Sequence, residues 1–140
     1  MELARQIAAL PVRYRHDGLL LVLLVTSREA RRWVIPKGWP WPDCEEWMSA
    51  AEEAREEPGV LGTPHPISIG TYMYEKRRLT AAVVVHVTVY RLEVTEELAT
   101  WPECNQRKRL WFGQTEAAAA VEEPELQTLI RQLSTDAAVP

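Results

Sequence analysis

The stretch 33–60 constrains this chain more than any other, because it holds a turn signal, an acidic helical pattern and a stop signal in one short segment. A Pro-Lys-Gly turn at 36–38 comes first. The stop signal is Pro58 followed by Gly59, since proline donates no backbone N–H and glycine accepts a left-handed exit. The pattern between them predicts a helix from about residue 44 to residue 57.

The start of this helix carries its own signals. Pro42 suits a position before or in the first turn, and Asp43 can cap free backbone N–H groups. Glu46 follows three residues later, at the spacing of a capping-box partner. We therefore expect Asp43 to cap the helix.

One side of the predicted helix is apolar and mostly small. Trp47, Ala50, Ala51 and Ala54 fall on one stripe at about 100° per residue. Alanines allow a helix to approach its neighbour closely. This stripe is expected to pack on the rest of the domain.

A second side of the helix gathers carboxylates. Glu53, Glu56 and Glu57 stand in the i, i+3, i+4 relation, so their side chains converge and repel one another unless a cation compensates. Oxygen-rich clusters of this kind suit Mg²⁺ or Mn²⁺, with water and substrate phosphate as further ligands. A solvated acidic face is the alternative that the spacing alone leaves open.

This segment resembles the Nudix box, the signature of the Nudix hydrolase family. That box is Gly, five residues, Glu, seven residues, Arg-Glu, an apolar residue, any residue, Glu-Glu, any residue, Gly and an apolar residue. Cys44 stands at the first glutamate of the pattern, and Glu52 stands at its arginine. The positions that match are Gly38, Glu53, Ala54, Glu56, Glu57, Gly59 and Val60.

The likeness extends over roughly residues 8–133, with flanking motifs similar to the diphosphoinositol-polyphosphate phosphohydrolase branch and its bacterial relatives. These motifs are Arg-Trp-Val-Ile-Pro at 32–36, Ile-Gly-Thr-Tyr at 69–72, and Thr-Trp-Pro with Arg-Lys-Arg-Leu-Trp-Phe at 100–112. The resemblance implies hydrolysis of a nucleoside diphosphate linked to another moiety, or of diphosphoinositol or dinucleoside polyphosphates. It implies that Glu53, Glu56 and Glu57 hold the metal and perform catalysis, with Glu53 or a neighbour acting on the attacking water.

Basic residues outside the helix are the candidates for holding phosphate. Arg28 and Arg32 precede the box, and Lys37 adjoins its first glycine. Arg107 and Arg109 are expected to share one face of a strand, because alternate residues point the same way. Arginine suits this work, since its guanidinium contacts phosphate in a bidentate manner.

Further residues have more open roles. Trp39 and Trp41 lie in the loop that faces the expected site, where they either stack on a base or pack within the loop. Glu103 and Glu116 are weak candidates for an additional metal ligand.

The departure at Glu52 has an expected consequence. Glu52 lies about 40° from Glu56 around the helix, so it should add repulsion to the metal face. Arg55 is not expected to take the place of the missing arginine, because it points about 160° from Glu57.

The remaining segments alternate between strand and helix patterns. Residues 83–89 alternate apolar and polar side chains, which predicts a strand with one apolar face and with His86 on the other. Thr115 is a candidate cap for a helix at 116–121, and 63–66 and 75–78 are expected to be loop and turn. Strands are predicted at 5–15, 19–26, 33–35, 67–74, 79–94 and 107–112, with a last helix at 124–133. This order predicts an α/β fold, an α/β/α sandwich with a mixed sheet, which is also the Nudix fold.

Length and composition set the remaining expectations. The 140 residues fit a single domain, with a core at about 5–133 and a frayed tail at 134–140. A net charge of −4 argues against a nucleic-acid polymer as partner, while local basic clusters suit a small polyphosphate. The sequence has no membrane-spanning run and no signal-peptide pattern, so we expect a cytoplasmic protein, with a homodimer left open.

Two functions follow from these patterns. The first is a metal-dependent pyrophosphohydrolase that cleaves a phosphoanhydride. The second is a catalytically impaired Nudix domain that binds a phosphorylated ligand or partner.

Overall fold

Short strands and helices alternate along the chain, whose computed structural model describes residues 3–77 and 79–133. Within those residues the strands are β1 (Leu3–Tyr14), β2 (Leu20–Thr26), β3 (Trp33–Val34), β4 (Lys37–Gly38), β5 (Val60–Pro64), β6 (Gly70–Arg77), β7 (Ala82–Glu97) and β8 (Arg109–Gly113). The helices are α1 (Glu46–Glu56), α2 (Gln114–Ala120) and α3 (Pro124–Arg131). The expectations for residue 78 and for a frayed tail at 134–140 lie outside the described residues.

The two longest strands, β1 and β7, form the spine of one mixed sheet. They pair in parallel from Leu3 opposite Val84 to Val12 opposite Glu93. The other edge of β1 is shared between β2 and β4, and the other edge of β7 between β6 and β5, all antiparallel. Strand β2 also pairs with β3 and with β8. The mixed sheet expected from the sequence is confirmed.

Helices cover both faces of this sheet. Ala50 and Ala54 of α1 pack in a core with Ile7, Leu23 and Leu92. A second, larger core on the opposite face receives α2 and α3, and its buried residues include Ala117, Leu126 and Ile130. The α/β/α sandwich is therefore confirmed, and the small apolar stripe of α1 is the face that packs on the sheet.

Two boundaries on the β7 side differ from the sequence prediction. Residues 60–64 form β5, although 63–66 were expected to be loop, and β6 runs to Arg77 through the expected turn. Strand β5 pairs only along β7 and has a register irregularity between Leu61 and Gly62. Pro64 is tolerated at the end of β5, because the N–H that it lacks would contribute little to the hydrogen bonding between the strands.

The predicted helix caps are wrong. Helix α1 begins at Glu46 after Glu45, without a side-chain capping bond. Asp43 instead adopts a left-handed backbone, φ 57°, in the preceding turn. Helix α2 begins one residue before Thr115, so that residue is not its cap either. The carboxylate of Glu46 accepts hydrogen bonds from two residues far away in the sequence, Arg5 and Tyr90.

Candidate active site

An open cavity of about 680 Å³ lies beside the C-terminal half of α1. Its wall on the helix side is acidic, with Glu53, Glu56 and Glu57, and Glu103 adjoins them from the loop before β8. The remaining walls are basic and aromatic. Their cationic and indole residues are Arg28, Arg32, Lys37, Lys76, Arg107, Trp39 and Trp41. The cavity is therefore lined by carboxylates of α1 and by cationic side chains from other segments.

Glu53 is a buried carboxylate, with 8% of its surface exposed. The indole Nε1 of Trp41 donates a hydrogen bond to its Oε2 at 3.1 Å. Gly38 lies directly against it, since a Cβ at that glycine would come within 2.4 Å of Oε1. Burial raises the pKa of Glu53, and the Trp41 bond opposes the rise. Glycine at position 38 thus has a local reason, because a larger residue there would meet this carboxylate.

Glu57 follows the last residue of α1 and is equally buried, with 7% exposed. Burial raises its pKa to about 8, although the charges of Arg107 and Lys37 oppose the rise. Arg107 Nη2 lies 3.8 Å from Glu57 Oε1. The negative charge of Glu53 adds to the rise in the pKa of Glu57, and both carboxylates are buried. Two neighbouring buried carboxylates are a site where a cation would be stabilised.

Glu56 is more exposed and shares a neighbour with Glu52. Nη2 of Arg55 approaches Glu52 Oε2 at 3.0 Å and Glu56 Oε1 at 3.8 Å. Arg55 therefore offsets part of the repulsion that Glu52 was expected to add to Glu56. Its pair with Glu52 follows from their spacing, since neighbours three residues apart on a helix lie within reach of each other.

Arg107 links the acidic wall to the loop before β8. Its side chain is 9% exposed, and Nε donates to Glu103 Oε1 at 2.7 Å. Nη1 donates to the backbone carbonyl of Thr26 at 3.1 Å. The backbone N–H of Glu103 donates to the carbonyl of Glu56 at 3.1 Å. Of the two weak candidates for an additional ligand, Glu103 lies at the site and Glu116 lies beside Gly113, where it does not line the cavity.

The structure separates Arg109 from Arg107 and corrects the expected pair. Strand β8 begins only at Arg109, so Arg107 precedes the strand and alternation does not relate the two. The guanidinium of Arg109 donates to the backbone carbonyls of Pro58, Gly59 and Leu98, at 2.8 to 3.0 Å. It also lies 4.1 Å from the ring centre of Trp101. Arg109 fastens the chain after α1 and does not line the cavity.

The three remaining basic candidates line the cavity as expected from the sequence. Lys37 lies 5.1 Å from the ring centre of Tyr74, and burial lowers its pKa, opposed first by the charge of Glu57. Arg32 donates to Glu123 Oε2 at 2.9 Å. Arg28 donates to Gln106 at 3.4 Å and is exposed.

Both loop tryptophans reach the cavity, but the sequence did not indicate how they are held. Trp39 is 47% exposed, and Lys76 Nζ lies 5.7 Å from its ring centre. Trp41 is 39% exposed and is fastened to α1 through Glu53 and through Ser49, whose Oγ accepts its backbone N–H at 3.0 Å. Sequence reasoning missed Ser49. Its signal is a hydroxyl one helical turn before Glu53, on the same side of the helix as that carboxylate.

The donor set fits a hard divalent cation, although the side chains do not enclose one as they stand. No group of three or more acidic, histidine or cysteine side chains in the described part of the chain is arranged to hold a metal ion. The donors available at the acidic wall are carboxylate oxygens only, the type that Mg²⁺ and Mn²⁺ prefer. Glu53 and Glu57 are buried, and the more exposed Glu56 is the third carboxylate on this side of the cavity.

Comparison with characterised proteins defines the class of protein. A search of family models finds no match. The chain is 36% identical to Nudix hydrolase 13, mitochondrial, of Arabidopsis thaliana over 110 residues, 72% of this chain and 53% of that protein. It is 37% identical to human diphosphoinositol polyphosphate phosphohydrolase 3-beta over 101 residues, 70% of this chain and 56% of that protein. The chain spans about half the length of these relatives.

Solved structures agree on the fold. A C. elegans Ap4A hydrolase binary complex matches with a TM-score of 0.67 and 20% identity, covering 91% of this chain and 93% of that one. The sandwich, the acidic helix and the sequence relatives together place this chain in the Nudix hydrolase family. No helix in residues 3–77 and 79–133 has the length and apolarity needed to cross a membrane.

Proposed function

We propose that this protein is a metal-dependent pyrophosphohydrolase that cleaves a phosphoanhydride bond in a small polyphosphate. The observation that carries the proposal is that carboxylates of α1 and cationic side chains from other segments line the same cavity. A polyphosphate carried with a divalent cation presents both charges at once, and such a cavity complements both. Curated relatives named as Nudix hydrolases support the same reaction class.

The acidic wall is the proposed metal site. Glu53, Glu56 and Glu57 would hold Mg²⁺ or Mn²⁺, with Glu103 as the nearest further carboxylate. When bound, the cation would neutralise phosphate charge and lower the pKa of a bound water. Because burial raises its pKa, Glu53 is also a stronger base than an exposed carboxylate and suits removal of a proton from water.

The basic wall is the proposed phosphate site. Arg107 and Lys37 stand next to Glu57, and Arg32 and Arg28 extend the positive wall away from α1. Trp39 offers an exposed ring at the cavity for a base or for another flat group. We leave Arg109 out of this site, because its guanidinium is used by backbone carbonyls.

Three substrate classes agree with this cavity. They are a nucleoside diphosphate linked to another moiety, a dinucleoside polyphosphate and a diphosphoinositol polyphosphate. The relative named as a diphosphoinositol polyphosphate phosphohydrolase and the structural neighbour named as an Ap4A hydrolase support the latter two. A panel of these compounds, tested with Mg²⁺ and with Mn²⁺, would choose among them.

Glu56→Gln tests the hydrolase directly. We expect this change to abolish metal-dependent phosphate release from the panel, because it removes one charge of the proposed metal site without altering size. Glu96→Gln is the matched control, since Glu96 is an exposed glutamate of β7 outside the cavity. Equal release by wild type and Glu56→Gln would contradict the proposed site.

A binding domain without turnover is the second candidate. It is favoured by one observation, which is that Arg107 and Lys37 already place positive charge beside Glu57, where they compete with a metal. In that case wild type would bind polyphosphates without hydrolysing them in either metal. A cytoplasmic location and a homodimer also stay predictions.

A further inference from the structure

The loop between the Pro-Lys-Gly turn and α1 is tied to the helix at two points by one residue. The indole of Trp41 donates to Glu53 Oε2 at 3.1 Å, and its backbone N–H donates to Ser49 Oγ at 3.0 Å. Ser49 is fully buried, with 0% exposed, and lies one helical turn before Glu53. Both anchors of Trp41 therefore lie on α1, the helix that carries the acidic wall.

The surroundings of this tie restrict how it can move. Pro40 and Pro42 flank Trp41, and each ring fixes its own backbone φ and limits the residue before it. On the other side of the Glu53 carboxylate, Gly38 leaves no room, since a Cβ there would lie 2.4 Å from Oε1. The Glu53 carboxylate is thus held between the indole N–H and the backbone at Gly38.

Packing alone does not account for this placement of Trp41. The residue is 39% exposed, so the loop gains only part of the apolar burial that a tryptophan offers. Its N–H is directed at a carboxylate whose pKa burial raises, and a hydrogen bond to a charged acceptor is stronger than a neutral one.

The Nudix box has an arginine at the position of Glu52, and in this chain Glu52 pairs with Arg55. A negatively charged side chain cannot donate to the carboxylates beside it. A neutral donor from the loop can orient Glu53 without adding a charge that competes with the metal.

We propose that Trp41 is a positioning residue that orients the Glu53 carboxylate through its indole N–H, and that Ser49 fixes Trp41 for this purpose. Oε2 accepts the indole N–H, while Oε1 faces Gly38, so both oxygens of the carboxylate are fixed in place. This inference rests on the proposed function, in which Glu53 belongs to the reacting site.

Trp41→Phe is the main test, because it keeps an aromatic ring and removes the N–H. We expect kcat with the preferred polyphosphate to fall about 10- to 100-fold while KM changes less than about threefold. A stacking role alone would give the opposite division, with a raised KM and an unchanged kcat. Binding of Mn²⁺ to the protein without substrate, followed by electron paramagnetic resonance, should weaken about tenfold, as for lost partners of metal ligands elsewhere.

Trp111 of β8 provides a matched control. Trp111 Nε1 also donates to a carboxylate, Glu97 Oε1 at 3.2 Å, but this pair does not line the cavity. Trp111→Phe should leave kcat and Mn²⁺ affinity at the wild-type level. Ser49→Ala keeps the indole and removes its anchor, so it should lower kcat less than Trp41→Phe does.

A double-mutant cycle shows whether Trp41 acts through Glu53. In a Glu53→Gln background, Trp41→Phe should cause no further loss of Mn²⁺ affinity, because coupled residues are not additive. Each variant is also unfolded with urea, and the comparison uses only variants that retain the wild-type fold. Ser49→Ala then tests the proposal if Trp41→Phe does not fold.

The outcomes separate this inference from the proposed function. Wild-type kcat and Mn²⁺ affinity in Trp41→Phe, additive effects in the cycle, or an equal loss in Trp111→Phe would overturn the positioning role. Absence of phosphate release by wild type would overturn the hydrolase alone. The positioning role would then be supported if Trp41→Phe still weakens Mn²⁺ binding and Trp111→Phe does not.

Discussion

The two ends of α1 treat the same residue type in opposite ways. At the N-terminal end, Glu46 accepts hydrogen bonds from Arg5 and Tyr90, and the bond from Arg5 lowers its pKa. At the C-terminal end, Glu53 and Glu57 are buried, and burial raises the pKa of both. The first end has a partly exposed ion pair, whereas at Glu57 the effect of burial on the pKa outweighs the positive charges of its neighbours.

The difference teaches that a count of glutamates does not locate a metal site. A carboxylate that already has a guanidinium gains little from a divalent cation, whereas two neighbouring buried carboxylates gain more. At the C-terminal end the Nudix box places Glu53, Glu56 and Glu57, and these three carboxylates line the cavity. Glu46 lies outside the box positions and already has Arg5 as its partner.

The arginines differ between the two ends as well. Arg5 binds the side chain of Glu46, while Arg109 binds the carbonyls of Pro58 and Gly59 just after the helix. The second arrangement fixes the backbone next to the site without placing the guanidinium on a carboxylate. We infer that Arg109 contributes to stability and only indirectly to binding.

Glu53→Gln should have the largest effect on this comparison. We expect phosphate release to fall about 10²- to 10⁴-fold, the range for loss of a general base. In the metal-free protein at pH 7, the same change should raise the free energy of unfolding by about 1 kcal/mol, because a buried charge is removed and glutamine still accepts the Trp41 bond. Steady-state kinetics and urea unfolding in a chelator measure the two effects.

Opposite signs for activity and stability are the specific feature of that result. A variant that loses both activity and stability would indicate that Glu53 supports the fold, which would break the comparison between the two ends.

Arg109→Ala should be the most destabilising of the arginine changes. It leaves three backbone carbonyls without their donor and removes the contact with Trp101, so we expect a loss of about 3 kcal/mol in urea unfolding. Lys108→Ala, an exposed neighbour, is the control and should change stability by less than about 0.5 kcal/mol. A similar small loss in both variants would show that the hydrogen bonds of Arg109 do not stabilise the chain after α1.

Glu46→Gln should have a small effect that depends on pH. The pair with Arg5 is partly exposed, at 49% and 33% of the side chains, so its contribution is less than about 1 kcal/mol. Because the folded pKa of Glu46 is lowered, this stability is present above its ordinary value of 4.5 and is lost as pH falls through the folded pKa. Thermal unfolding should separate wild type from Glu46→Gln at pH 7 and not at pH 3. A constant difference at both values would contradict the ion pair.

The sequence was sufficient for the layers and for the acidic helix. The apolar stripe at Ala50 and Ala54 and the alternation along β7 both report burial, and burial is what these patterns measure. Boundaries were less accurate where a local signal met a tertiary contact. Aspartate is a common helix cap, but Asp43 lies in the turn between Pro42 and α1 and adopts a left-handed backbone conformation there.

The site was predictable in its residue types and less so in its partners. Arg107 and Arg109 look equivalent in the sequence, yet the start of β8 between them directs one to the cavity and the other to backbone carbonyls. The bond from Trp41 to Glu53 spans twelve residues across a turn, and no periodicity reports such a contact. Sequence patterns report which side of a helix or strand is buried. The hydrogen-bond partners of a side chain depend instead on how the loops fold over that side.

A titration of the folded protein with Mn²⁺, with and without a polyphosphate from the panel, tests the central claim most directly. Wild type is expected to bind the ion saturably and more tightly with polyphosphate present, and Glu56→Gln is expected to lose most of that binding. No bound Mn²⁺ in wild type under either condition, or equal binding in Glu56→Gln, would show that the C-terminal carboxylates of α1 are not a metal site.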